Sequence, residues 1–122
     1  MNAFELETRL IDFASRVVDM AEALPQTYSG KHLGSQIVRS ATSPALNYGE
    51  VQAAESPEDF MHKMKICQKE LRETSVCLKL IAKRNWFPEG KLTSLIQESH
   101  ELISIFVASN KTLTARKPNR KS

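Results

Sequence analysis

Apolar residues recur at alternating steps of four and three in four successive segments, and this periodicity restricts the fold more than any other sequence feature. Such steps place side chains on one face of an α-helix that packs at a shallow angle against other helices. The first segment is predicted to stop at Pro25, and its stripe consists of Leu6, Leu10, Phe13, Val17, Met20 and Leu24. The chain has only four Gly and five Pro residues, too few for the turns of a β-sandwich. A few long helices are therefore expected.

Three more segments carry comparable stripes. The second follows a loop over 26–30, and its Pro44 predicts a kink near 39–43 or two abutting helices, since proline lacks a backbone donor. The third starts with Ser56 as N-cap, Pro57 at the first helical position and Asp59 three residues after the cap, as in a capping box. After a turn at 85–87, Pro88 is predicted to open the fourth. The stripe of the second segment is Leu33, Ile37, Ala41, Tyr48 and Val51. That of the third is Phe60, Met64, Cys67, Leu71, Thr74, Leu78 and Ile81. That of the fourth is Leu92, Leu95, Ser99, Leu102, Phe106 and Leu113.

The connections between the four segments are only a few residues long. Helices joined by short loops run antiparallel to their neighbours, so the sequence predicts an all-α fold, an antiparallel up-down four-helix bundle. At 122 residues the chain is long enough for one domain. We expect the bundle to occupy residues 1–114 and residues 115–122 to form a basic tail that does not fold by itself.

The formal net charge of +3 is concentrated at the end of the chain. Residues after Glu101 include five basic and no acidic side chains, and the rest of the chain has 12 basic against 14 acidic residues. The tail is therefore either an arm for nucleic acid or an acidic partner, or a solubilising end.

No apolar run approaches the ~20 residues of a membrane span, and the first residues do not resemble a secretory signal. Cys67 and Cys77 are ten residues apart on one predicted helix, about 15 Å along its axis, which is too far for a disulfide. Two unpaired thiols fit a reducing compartment. We expect a cytoplasmic protein with no membrane partner.

Basic residues follow one another along one side of the third helix, within about 80° of arc and over about 27 Å. A row of this length matches the phosphates along roughly eight base pairs. The alternative is a solvated helix face neutralised by pairs such as Lys69–Glu73. The predicted nucleic-acid-binding residues are Lys65, Lys69, Arg72, Lys79 and Lys83.

Apolar side chains also occupy the back of the third helix, away from its core stripe. They are Ile66, Cys77 and Leu80. A bundle helix that is apolar on two sides often contacts a second partner, so Ile66 and Leu80 are candidates for a homo-oligomer interface. The alternative is that these side chains are singly exposed.

A polar cluster on the second helix follows steps of four, four and three: Arg39, Ser43, Asn47 and Glu50. Buried polar groups need hydrogen-bond partners, and this set can bond within itself or to Glu70, Arg72 and Glu73 on the third helix. A structural network that fixes the register between two helices is favoured over a ligand site.

Residues for catalysis or metal binding are not grouped in the sequence. His32, His62 and His100 lie in different segments, and Asp59-x-x-His62 is the nearest approach to the paired Glu-x-x-His of a di-iron bundle. The four glycines are scattered, and there is no Cys-x-x-Cys. We predict no catalytic residue, no metal site, no cofactor and no enzymatic activity.

Two runs of sequence resemble the bacterial "four helix bundle protein" family, whose members are also described as encoded by intervening sequences in 23S rRNA genes. The first run, from Gln36 to Glu50, contains Gln-Ile-x-Arg followed by Ser-x-x-x-Asn-x-x-Glu. The second extends from Ala53 to Met64 and continues in Lys69-Glu-Leu-Arg-Glu-Thr74. The likeness covers about residues 5–110.

This resemblance implies an antiparallel bundle that assembles into a homopentamer. It also implies kinship with the accessory variability proteins of diversity-generating retroelements, which bind nucleic acid through a basic exterior and partner a reverse transcriptase. Our first functional hypothesis is a non-enzymatic oligomer that binds RNA or DNA, as an accessory factor to a reverse transcriptase or an RNA. The second is a protein-interaction scaffold that binds no nucleic acid.

Overall fold

The computed structural model describes residues 1–115 of the chain, and the regular secondary structure in this range is entirely helical. Its helices are α1 (Ala3–Glu22), α2 (Tyr28–Val51), α3 (Pro57–Lys83) and α4 (Thr93–Ala115). Of the predicted basic tail, Ala115 is the last residue of α4, and the rest lies outside the described residues. None of the helices in residues 1–115 is long and apolar enough to cross a membrane.

The four helices form a closed four-cornered bundle in which each packs against its neighbours in the chain, and α4 returns to α1. Arg9 on α1 bonds to Glu98 on α4, and Arg16 further along α1 bonds to Ser94, which lies earlier on α4. The two helices therefore run in opposite directions. The predicted antiparallel up-down four-helix bundle is confirmed.

The apolar stripes meet along the axis of the bundle. All six residues of the first stripe are buried. Tyr48 of α2 contacts Phe106 of α4 edge to face, with ring centroids 5.8 Å apart. The third stripe differs at its start: Phe60 is only partly buried and Met61 is buried instead.

Short polar side chains begin three of the helices. At α1, Asn2 and Glu5 form a reciprocal capping box. Thr27 caps α2 by accepting from Gly30 N, so this helix begins at Tyr28, inside the predicted loop. At α3, the Ser56 side chain accepts from Asp59 N as predicted. In a capping box the Asp59 carboxylate would accept from Ser56 N, but here it accepts from Glu55 N at 3.2 Å.

The prediction that Pro88 opens the fourth helix is wrong. Gly90 has a φ of +85°, outside the right-handed helical region, so a regular helix cannot pass through it. The segment after Pro88 forms a turn, with Lys91 N donating to Pro88 O, and α4 begins at Thr93.

Pro44 lies inside α2, which is a single helical element from Tyr28 to Val51, so the alternative of two abutting helices is excluded. Pro44 is buried against α3, where the Cys67 thiol donates to its carbonyl oxygen at 3.5 Å. The kink near this residue stays a prediction.

Candidate nucleic-acid interface

The basic residues predicted on α3 all lie on its solvent-facing side. They are Lys65, Lys69, Arg72, Lys79 and Lys83, and each is exposed. Within residues 1–115, none of the five forms an ion pair. The helix therefore presents a row of uncompensated positive charge, which we call the basic face.

Acidic residues of the same helix are directed elsewhere. Glu70 and Glu73 both accept from the Arg39 guanidinium of α2, Glu70 at 2.9 Å. Because Glu73 bonds to Arg39, the Lys69–Glu73 pair that would have neutralised part of the basic face is not formed. In this part of α3, Glu70 and Glu73 thus lie toward α2, and the five cations of the basic face point to solvent.

The other polar residues predicted on α2 lie along the same α2–α3 boundary. Asn47 Nδ2 donates to both the backbone oxygen and the hydroxyl of Ser43 at 3.0 Å. Glu50 accepts from Lys63 Nζ at 3.1 Å, and this contact raises the pKa of Lys63. Arg72, offered as a partner from the sequence, is exposed and forms no ion pair within residues 1–115, so we count it with the basic face.

Two buried polar contacts between helices were not predicted from the sequence. Thr74 Oγ1 donates to Ser40 Oγ at 2.9 Å between α2 and α3. Asn110 of α4 donates to Met64 O and Gln68 Oε1 of α3, while its own Oδ1 lacks a partner among the described residues. Asn110 lies four residues after Phe106 and three before Leu113, so the sequence places it on the same face of α4 as these stripe residues.

Apolar residues on the outside of α3 lie among and beside the cations of the basic face. Leu80 is 49% exposed, Val76 is 65% exposed and Ile66 is half-buried. Cys77, which the sequence placed with them, is buried against α2, with its Sγ 4.0 Å from Leu33 O. Helical angles had placed Cys77 on the outside of α3, but α2 packs closely enough to cover it.

The two thiols are suited to packing rather than to chemistry. Burial raises the pKa of Cys67 to about 12, and burial together with Glu73 raises the pKa of Cys77. A thiol with a raised pKa holds little thiolate near neutral pH, the form that attacks or binds a metal. In the part of the chain that the structure describes, no three His, Cys, Asp or Glu side chains are grouped as metal ligands.

Comparison with known proteins identifies relatives by sequence and by fold. A family model described as 23S rRNA-intervening sequence protein matches residues 4–108. The fold is similar to the crystal structure of a protein of unknown function from the S23 ribosomal protein family of Bacteroides thetaiotaomicron, with a TM-score of 0.82 and 27% sequence identity. That alignment covers 91% of this chain and 99% of the other. No curated protein matches the chain.

Proposed function

The chain belongs to the 23S rRNA-intervening sequence protein family, and from this premise and the charge on α3 we propose that it is a non-enzymatic homo-oligomer that binds nucleic acid. The observation that carries the proposal is the basic face: five exposed cations on one helix, none in an ion pair within residues 1–115. The face contacts RNA or DNA, and no catalytic residue or cofactor is assigned.

The arrangement of these cations fits the spacing of a phosphate backbone. From Lys65 to Lys83 the row extends about 27 Å at 1.5 Å per residue, roughly the length of eight base pairs. Lysine and arginine side chains that neutralise phosphates release bound counterions, which supplies affinity independent of sequence. Unpaired cations are available for this exchange, whereas those held in ion pairs must first lose a partner.

Self-assembly would bring several basic faces together. The exposed Val76 and Leu80 and the half-buried Ile66 are apolar side chains on α3 that the monomer leaves wholly or partly uncovered. Burying such residues between subunits is favourable by roughly 25 cal/mol for each Å² of apolar surface. We propose Ile66 and Leu80 as contact residues, a pentamer as the assembly, and a reverse transcriptase as a candidate protein partner, following the resemblance carried by the sequence motifs.

Salt titration tests the proposal against the alternative of a scaffold that binds no nucleic acid. Affinity for labelled RNA and DNA oligonucleotides is measured by fluorescence anisotropy over a series of salt concentrations. Phosphate contacts predict a steep linear fall of log affinity with log salt, with a slope of about −0.9 for each phosphate contacted on duplex DNA. Absence of binding at every salt concentration would favour the scaffold.

A further inference from the structure

An open groove lies where the basic face ends, between the last turns of α3, the loop after it and the first turn of α4. Its volume is about 740 Å³, within the range of small-ligand sites. The loop frames it with two residues of positive φ, Asn85 at +60° and Gly90 at +85°. The side chains that give the groove its chemistry are Lys79, Lys83, Asn85, Phe87, Glu89 and Thr93.

The lining differs from that of a simple phosphate site. Lys79 and Lys83 belong to the basic face, so a nucleic-acid backbone that follows this face reaches the groove. Phe87 is half-buried and packs against the bundle core, which holds its ring in place. Glu89 would repel a phosphate placed inside, but its carboxylate can accept hydrogen bonds from the amino group of a base.

We propose that this groove binds one unpaired nucleobase of a single-stranded nucleic acid whose phosphates lie along the basic face. Single-strand binding sites commonly combine a cationic track for the backbone with aromatic rings on which bases stack. A base inside a duplex has both faces covered by its neighbours and cannot enter the groove. This inference rests on the proposed nucleic-acid binding and adds a preference for unpaired strands.

The test compares three ligands on the intact chain: a single-stranded oligonucleotide, a duplex of the same sequence, and the single strand with abasic sites, each as RNA and as DNA. We expect the single strand to bind about tenfold more tightly than the abasic strand, within the range of base–aromatic stacking. The RNA and DNA arms show which nucleic acid supplies the base. Equal affinity for the intact and the abasic strand overturns the inference while leaving nucleic-acid binding in place, whatever the affinity for the duplex.

A Phe87→Leu variant removes the ring and keeps apolar volume, and Phe60→Leu serves as the control because Phe60 is also partly buried against the core. We expect F87L to lower affinity for the single strand about tenfold, with unchanged duplex affinity and salt slope, and F60L to behave as the original protein. If F87L fails to fold by circular dichroism, the abasic comparison decides alone. Failure of every ligand to bind overturns this inference together with the proposed function.

Discussion

At the scale of single residues, Gly30 has the tightest surroundings of the glycines. It is buried in the first turn of α2, and a Cβ added there would lie 2.0 Å from the carbonyl oxygen of Pro25. That oxygen belongs to the backbone and cannot rotate away, so the chain entering α2 must shift. We expect Gly30→Ala to lower the free energy of unfolding by about 1–3 kcal/mol, the usual cost of overpacking.

Gly49 provides the matched control, because it also lies in α2 but a Cβ there meets nothing within 4 Å. Gly49→Ala should raise stability by about 0.5–1 kcal/mol, since alanine loses less backbone freedom in a helix. Urea unfolding followed by circular dichroism measures both. Equal effects of the two substitutions would contradict the close approach of Pro25 to α2.

Cys67 makes stability depend on alkaline pH. Burial raises its pKa to about 12 in the folded protein, from 9.0 for a free thiol. The unfolded chain therefore releases the thiol proton first, so the free energy of unfolding is unaffected below about pH 9 and falls as pH rises toward 12. The expected loss from this residue is about 1.4 kcal/mol per pH unit in that window.

A Cys67→Ala variant tests this coupling. It is less stable at neutral pH, because a buried sulfur is removed, but its stability should fall less steeply above pH 9. Urea unfolding of both proteins at several pH values up to about 10 isolates Cys67, because every other titrating group is common to the two. Identical pH slopes in the two proteins would show that Cys67 does not titrate as its burial requires.

At the scale of helices, Arg39 of α2, a member of the polar cluster predicted from the sequence, forms ion pairs with both Glu70 and Glu73 of α3. Removing Arg39 leaves the Glu70 carboxylate, whose side chain is only 11% exposed, without its cation. We expect Arg39→Gln to lower the free energy of unfolding by about 1–2 kcal/mol, because a poorly solvated charge loses its partner. Arg39 itself is half-exposed, which keeps the effect below that of a buried pair.

Arg72→Gln is the matched control, because Arg72 is an arginine of α3 whereas Arg39 belongs to α2. It removes the same charge from an exposed residue with no ion pair in residues 1–115, so stability should change by less than about 0.5 kcal/mol. Nucleic-acid affinity should show the opposite order: R72Q weakens binding and R39Q does not. If both variants lose binding, Arg39 would also contribute to nucleic-acid binding, and its role could not be separated from that of the basic face.

The basic face as a whole is tested by changing Lys65, Lys69 and Lys79 to Gln. Binding to all sequences should weaken alike, because lysines contact phosphates rather than base edges. The salt slope should flatten by up to about 0.9 for each lost contact. The control changes three exposed lysines elsewhere on the bundle, Lys31, Lys91 and Lys111, and removes the same total charge. If both triple variants lose the same affinity, net charge rather than the basic face governs binding.

Which side of each helix faces the core was largely predictable from the sequence, because heptad spacing determines burial directly. Helix ends were less predictable. The start of α4 depends on the positive φ of Gly90, and a glycine in a sequence does not reveal its φ. The contact of Cys77 with α2 was also missed, since it depends on how closely α2 packs against α3, which the spacing on α3 alone does not specify.

The sequence predicted that the five basic residues form a row on one side of α3, and all five are exposed. Whether they form ion pairs with neighbouring acids could not be predicted. Lys69–Glu73 has suitable helical spacing, and only the closeness of Arg39 on α2 shows that Glu73 bonds there instead. The partner of Glu73 is decided between two helices, whereas sequence spacing describes one helix at a time. The groove beside Phe87 escaped prediction for the same reason, because three separate segments line it.

At the scale of the whole molecule, the proposed assembly depends on the apolar side chains on the outside of α3. Replacing Ile66 and Leu80 with Glu would put two charges into the proposed subunit contact, where each apolar side chain contributes roughly 1.5–3 kcal/mol when fully covered. We expect the double variant to remain helical by circular dichroism and to become monomeric in light scattering.

Phe4→Glu with Ile11→Glu is the control, because these exposed residues lie on α1 and the added charge is the same. A control that also dissociates would contradict a contact confined to α3. An unmodified protein that already runs as a 13.8 kDa monomer would contradict the assembly altogether.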